Sequence, residues 1–399
     1  MKILFVNKFL YPRGGAETYF LKLGEYFEKE GHQVAYFGMA DEKNIVGNPW
    51  GLYTRNKDFH STGFQRFLYP FSILYSVDAY RKMRNLIRRF APDIIHMNNI
   101  NFQLTPSIID AAWKEGVPVI QTVHDSQMVC PGHLLYQART QTLCRKCLDG
   151  SKWNCFRHRC IHGSRIKSLL GSMEGILYDW KKSYDRVRLY LCPSEFMESI
   201  LLTSPRYQGK TRVMHNFIQL PEKSYGPKKD YILYFGRLSE EKGISLFLEL
   251  CDRFPGLSFK IAGSGPWEEQ CRSRKNAEYL GLLTGERLKR VIAQARLVIY
   301  PSVCYENCPL SILEAISLGT PVIASQRGGS RELMENGKNG ILVEEPLSAS
   351  GIAEAMEGLL EDQARLDEMT RQCEKSRERF LTLEKYGKQL ENIYQQIRG

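Results

Sequence analysis

What constrains this chain most is an alternation that runs, stops and starts again. Short apolar runs at Lys2–Val6, Gln33–Phe37, 92–97 and 117–123 read as strands, and an amphipathic helix is expected over 17–30. A polar stretch, 220–230, interrupts the pattern and reads as a linker. Strands are then expected at 231–235, 258–262, Leu297–Tyr300 and 321–324, with helices at Ile244–Arg253, 287–295, 310–318 and 351–361. Short apolar strands alternating with helices form parallel sheets covered on both faces. The expected fold is therefore α/β: two Rossmann-like, doubly wound domains facing each other across a cleft. Ligands of such sheets sit beyond the carboxyl ends of the strands. The boundaries expected are 1–220 with a returning helix in 381–399 for the first domain, and 221–380 for the second.

At 399 residues and 43% hydrophobic content the chain is long enough for two cores. No apolar run reaches the roughly 18 residues of a membrane span. The opening Met1-Lys-Ile-Leu-Phe-Val6 is too short for a secretory leader and reads as a buried strand, so a cytoplasmic protein is expected. Charge is unevenly spread. Residues 1–220 hold 30 Lys+Arg against 18 Asp+Glu, and residues 221–399 hold 25 against 26, so the halves are expected to meet different partners.

The strand ends carry the chemistry. Glu306 and Glu314 flank Asn307-Cys308-Pro309, a turn whose proline suits the first turn of the helix beginning at Leu310. A helix start binds phosphate, and a carboxylate on either side accepts hydrogen bonds from hydroxyls. That combination describes a nucleotide sugar; an amphipathic helix with two solvated glutamates is the plain alternative. Gly14-Gly15 follows the first strand, and Gly263-Ser-Gly-Pro266 follows a later one. Such glycines permit close backbone approach to a ligand. The second is not a dinucleotide G-x-G-x-x-G fingerprint, which disfavours a nicotinamide or flavin enzyme. Arg237 and Lys242, in the loop after the first strand of the second half, could neutralise a diphosphate or be solvated loop cations.

In this set the sequence resembles the retaining glycosyltransferases of family four, which have the GT-B fold. The resemblance rests on Gly14-Gly15, His124-Asp125, Asn216, Gly236-Arg237 with Glu241-Lys-Gly243, Gly263-Ser-Gly-Pro266, Pro301-Ser302, the Glu306/Glu314 pair and Gly319-Thr-Pro-Val322. It implies a donor-binding second domain, an acceptor-binding first domain and a last helix that crosses back to the first. It implies that Arg237 and Lys242 hold the diphosphate and Glu314 the ribose. Glu306 and His124 would contact the transferred sugar as the catalytic pair, with Gly14, Gly15, Gly263, Cys308, Pro309 and Leu310 also at the donor. The family's usual Gly-Phe after the first glutamate is Asn307-Cys308 here. Because two cations neutralise the phosphates and there is no Asp-x-Asp motif, no catalytic cofactor is expected.

Five of the eleven cysteines fall between Cys130 and Cys160. Cys144, Cys147, Cys155 and Cys160 have the count, and in part the spacing, of a structural zinc site. The alternative is reduced cysteines in an insertion, about 128–165, since disulfides are not expected in a reducing compartment. The basic surplus suggests a membrane partner. Over 72–90, Ile73, Val77, Tyr80, Met83, Ile87 and Phe90 share a face, with Arg81, Lys82, Arg84, Arg88 and Arg89 around it and Phe64, Phe67, Tyr69 and Phe71 before it. Such a helix can lie on an anionic membrane or simply pack on the sheet. The function expected is transfer of a sugar from a nucleotide sugar to a lipid-linked glycan in capsule, exopolysaccharide or O-antigen synthesis, on the inner face of the membrane. A nucleotide-sugar epimerase and a basic nucleic-acid-binding module are the alternatives. The dispersed cations argue against the second, so no nucleic-acid partner is expected.

Overall fold

The computed structural model describes residues 1–55, 74–219 and 224–398, and the chain separates into two compact units. Unit 1 is Met1–His215 with Leu383–Gly399; unit 2 is Asn216–Thr382.

Among the described residues, unit 1 is built on a six-stranded parallel sheet. Its strands are β1 (Lys2–Val6), β2 (Gln33–Phe37), β3 (Ile94–Met97), β4 (Val119–Thr122), β7 (Leu189–Cys192) and β8 (Thr211–Val213), in the order β2-β1-β3-β4-β7-β8. Between β4 and β7 lies an insertion holding the two-residue hairpin strands β5 (Tyr136–Gln137) and β6 (Thr142–Leu143), then helices Trp153–His158 and Arg165–Lys181. β1 is central: Ile3, Leu4, Phe5 and Val6 have no exposed surface, as continuous apolar strands require when both faces are covered. The chain reverses its winding between β1 and β3, so the crevice of this unit lies beyond Val6 and Met97.

The terminal helix Leu383–Arg398 packs against helix Gly15–Lys29. Gly387 makes this possible, since a Cβ there would meet the Tyr26 ring at 2.1 Å. Two tyrosines anchor it. Tyr386 Oη lies 2.6 Å from Tyr19 Oη, and Tyr394 Oη is hydrogen-bonded to His96 Nδ1. His96 Nε2 in turn meets Thr122 Oγ1 at 2.7 Å. This buried network leaves few polar atoms unpaired, the condition under which burying them is tolerable.

Unit 2 holds a second six-stranded parallel sheet among its described residues: β9 (Ile232–Phe235), β10 (Phe259–Ala262), β11 (Ala277–Gly281), β12 (Leu297–Tyr300), β13 (Val322–Ser325) and β14 (Gly340–Val343). Their order, β11-β10-β9-β12-β13-β14, is the doubly wound dinucleotide-fold order. One apolar cluster, with Phe247, Phe259 and Met356, covers one face; another, with Ile312, Ile316 and Tyr300, covers the other. The winding reverses between β9 and β12. Whatever follows Phe235 and Tyr300 therefore lines the crevice.

The basic helix expected over 72–90 is Val77–Phe90 in the structure, and residues 64, 67, 69 and 71–73 lie outside the described residues. Its apolar face is occupied: Ala79, Met83, Leu86, Ile87 and Phe90 are buried, and Arg84 and Arg88 pair with Glu115 at 2.5 and 2.9 Å. A bilayer would find no free apolar face there, because the core of unit 1 already holds it.

Candidate functional site

In unit 2 the loops that follow β9 and β12 are fastened together. Val303 N donates to the Glu241 carbonyl at 3.1 Å, and Ser302 Oγ lies 3.2 Å from the same oxygen. Gly243 has φ 72°, and a Cβ there would sit 1.9 Å from the Pro301 carbonyl oxygen, so only glycine allows this approach. The fastening sets Lys242 opposite Glu306. Lys242 Nζ donates to Glu306 Oε1 at 2.6 Å and Oε2 at 2.9 Å, and Ser302 Oγ donates to Oε1 at 2.5 Å.

Glu306 is buried, 7% exposed, yet ionised. Burial alone would raise its pKa. The Lys242 charge, with hydrogen bonds from Lys242, Ser302 and Tyr300, outweighs that and holds it below the usual carboxylate range. For Lys242 burial pulls downward, and Glu306 reverses the sign and raises it. The Glu306 backbone is pinned as well: its carbonyl accepts from Gly329 N at 2.8 Å, and Gly328 bridges to it.

Four residues later the helix Leu310–Ser317 begins, with Pro309 as its cap residue. Proline has no N–H to leave unsatisfied there, while the next backbone N–H groups point out of the helix start. Asn216 holds this turn: its Nδ2 donates to the Cys308 carbonyl at 3.0 Å and its backbone N lies 3.4 Å from Cys308 Sγ. Cys308 is thus buried support for the helix start. It is 6% exposed. Glu314 stands half-buried within the helix. Arg237 extends into solvent, its side chain 66% exposed and 3.9 Å from Glu241. Gly263 follows β10 with φ 152°, where a Cβ would overlap the Gly236 carbonyl at 1.8 Å.

Unit 1 gathers its own polar set beyond β1, β3 and β4. Asn7 Nδ2 reaches Glu17 Oε1 at 3.5 Å, and Gly14 is the extended cap of the helix that Gly15 opens. His124 Nε2 lies 2.8 Å from Asn98 Oδ1, with the Tyr19 ring edge-on at 5.1 Å. Burial lowers the His124 pKa to about 4, so the imidazole is neutral at pH 7. Burial pushes Asp125 up, but His133 and the Gln127 N–H overcome it and bring it down to about 2. Behind them Glu174 is pushed up to about 8 by burial, with Gln127 Nε2 3.3 Å away. The open depression of ≈ 1010 Å³ in this unit is lined by residues 40–49 and Tyr53, beyond β2, and not by this polar set. Asn7, Asn98 and Glu174 were not singled out from sequence. The first two were legible in principle, since each directly follows a buried apolar strand.

The insertion brings its cysteines together in a different grouping from that expected. A small cavity of ≈ 10 Å³ is lined by Cys130, Cys144, Cys147 and Cys160 with Asn154 and His158. The thiols are free, with Cys130 hydrogen-bonded to Cys147 and Cys155 to Cys160. Cys144 Sγ accepts from Gln137 Nε2 at 3.2 Å. Among the described residues no group of three or more His, Cys, Asp or Glu side chains stands in an arrangement that holds a metal ion.

Two parallel, doubly wound units, the second with a cation–carboxylate pair at its switch point, define a class by architecture, the GT-B fold. Comparison with known proteins narrows it. The model of Glycosyltransferase Family 4 matches residues 13–221, more than half of the chain, and that of Glycosyl transferases group 1 matches residues 219–379. The chain belongs to glycosyltransferase family 4. It is 30% identical over 177 residues to the alpha-D-kanosaminyltransferase of Streptomyces kanamyceticus, covering 42% of this chain and 45% of the relative. WcaL of Salmonella typhimurium, named for colanic acid biosynthesis, is 27% identical over 198 residues, 46% of each chain. This chain spans about half the length of the curated relatives it matches. Anabaena Alr3699/HepE, solved with UDP, shares the fold at a TM-score of 0.68 and 16% identity, over 99% of this chain and 100% of that one. The family match does not favour the epimerase or nucleic-acid alternatives.

Proposed function

We propose that the protein transfers a sugar, with retention at the anomeric carbon, from a nucleotide sugar to a lipid-linked glycan in cell-surface polysaccharide synthesis. The observation that carries the donor half of this reading is the Lys242–Glu306 pair at the β9/β12 switch point, four residues from a helix start. Lys242 and Arg237 take the diphosphate together with the N–H groups at Leu310 and beyond. Glu314 takes the ribose hydroxyls. As phosphate claims part of the Lys242 charge, Glu306 is freed to meet the sugar. The bond from the anomeric carbon to the β-phosphate oxygen breaks with its electron pair left on oxygen, a bond to the acceptor hydroxyl oxygen forms, and the proton of that hydroxyl passes to the departing β-phosphate oxygen. The carboxylate stabilises the positive character that grows on the sugar ring. With two cations at the phosphates, this reading requires no catalytic metal.

In unit 1, neutral His124 is proposed as a hydrogen-bonding group for a sugar hydroxyl, and the unit as the acceptor side. The WcaL relationship and the positive surplus of residues 1–220 support a glycan acceptor at an anionic membrane. The cysteine insertion is proposed to close on zinc, which would draw the gathered thiols inward. Steady-state kinetics test the donor site. Glu314→Ala should raise KM for the donor with kcat little changed, because a ribose contact is made equally in ground and transition states. Glu306→Ala should lower kcat at least a hundredfold. Unchanged kinetics in both would remove the site.

A further inference from the structure

Helix Arg165–Lys181 is packed inside out. Its buried positions are Ser168, Gly171, Ser172, Glu174 and Tyr178, mostly small or polar. They dock by close approach. A Cβ on Gly171 would meet Ile161 Cδ1 at 2.4 Å, and one on Gly175 would meet Lys152 Cδ at 2.7 Å. Ser172 Oγ accepts from Phe156 N at 3.1 Å and donates to the Lys152 carbonyl at 2.9 Å, while Ser168 Oγ accepts from Ile161 N at 3.0 Å. The apolar residues are left outside. Ile166 is 71% exposed, Met173 39% and Trp180 79%. With the half-buried Leu170 and Leu177 they recur at three- and four-residue steps, a single stripe along a helix about 25 Å long. A globular helix ordinarily turns such a stripe inward; a continuous one in solvent marks a surface that meets something.

Charge says what it meets. Residues 139–182 carry ten Lys+Arg against three Asp+Glu. Of those three acids, Glu174 is buried with its pKa pushed up to about 8, and Asp179 is paired with Lys152 and Arg206 at 2.7 and 2.6 Å. Arg157, Arg165 and Lys182 are exposed, the last two at the two ends of the striped helix and the first on the neighbouring helix Trp153–His158. No helix among the described residues is long and apolar enough to cross a membrane. A helix with an apolar stripe and a cationic surround lies flat in the interface of an anionic bilayer, its tryptophan at headgroup level. A second copy of the chain fits less well, since a two-fold contact along this helix would set its cations against each other.

We infer that helix Arg165–Lys181, and not the buried Val77–Phe90 helix, is the surface that docks this protein on anionic lipid. The inference rests on the peripheral-membrane part of the proposed function and names its location. Sedimentation with phosphatidylglycerol/phosphatidylcholine vesicles against pure phosphatidylcholine tests it, using the full chain. Wild type should partition to the anionic vesicles, and brominated lipid should quench Trp180 emission. Ile166→Ser/Met173→Ser/Trp180→Ser should weaken binding at least tenfold, and Arg157→Gln/Arg165→Gln/Lys182→Gln should weaken it on the order of fivefold per cation lost. All six positions are exposed or solvent-facing, so circular dichroism and melting temperature should be unchanged. Binding that survives the triple serine variant would overturn the inference and leave the peripheral reading standing. No binding by wild type to either vesicle would overturn both. A dimer that the serine variant dissolves, without lipid binding, would assign the stripe to self-association and overturn it too.

Discussion

At the residue scale the site depends on one pair. Lys242→Met would strip a buried carboxylate of its cation, and leaving a buried charge uncompensated costs about 3–5 kcal/mol at full burial, less here because Lys242 is 28% exposed. Chemical denaturation should show a loss of about 1–3 kcal/mol, and Lys242→Met/Glu306→Met should recover much of it. Titration predicts a further result. Glu174 ionises near 4.5 unfolded but near about 8 folded, so its contribution is fully present below about 4.5 and is lost as pH rises through about 8. His124 and His96 act in the other direction: folded values of about 4 and about 3 lie below the ordinary 6.5, so their contribution is present above 6.5 and lost as pH falls through those values. Melting temperature against pH should therefore fall on both sides. Glu174→Gln should flatten the alkaline limb alone, and an unchanged limb would contradict the assignment.

At the scale of elements, periodicity served well at the apolar strands β1, β2, β9 and β12, of which β2 and β9 are closed by glycine. It missed β7, β8, β11 and β14: β8 and β11 are partly exposed edge strands with no continuous apolar run, whereas the short apolar runs of β7 and β14 were passed over. It also passed over helix Arg165–Lys181, whose inverted packing hides a clear periodicity behind the cysteine pattern. The role of Cys130 was not legible, because it precedes the Cys-x2-Cys spacing by a long interval and joins Cys147 only through folding. Two predictions belong here. Gly263→Ala should destabilise unit 2 by several kcal/mol (on the order of 2–4), since both φ 152° and the Gly236 carbonyl forbid a Cβ. Elemental analysis of protein purified without chelator should find about one zinc per chain, and Cys147→Ser should abolish it. Zinc absent, with the insertion's thiols alkylated freely in the native protein, would contradict the proposal.

At the scale of the whole molecule, two doubly wound units were legible because each unit's apolar strands and glycine turns repeat the same logic. The switch points were not, since strand order depends on crossovers that leave no local trace. That order is what turns Lys242 and Glu306, 64 positions apart, into neighbours at the mouth of one sheet. The residues were visible as motifs; their pairing was not. The central claim is that this mouth binds a nucleotide sugar through its diphosphate without a metal. Calorimetric titration with UDP, GDP and their sugars, in EDTA, tests it most directly. The account predicts that at least one nucleotide binds with micromolar affinity, and that Arg237→Ala and Lys242→Ala each weaken it tenfold or more. Binding that appears only on adding a divalent cation, or that ignores both substitutions, would contradict it.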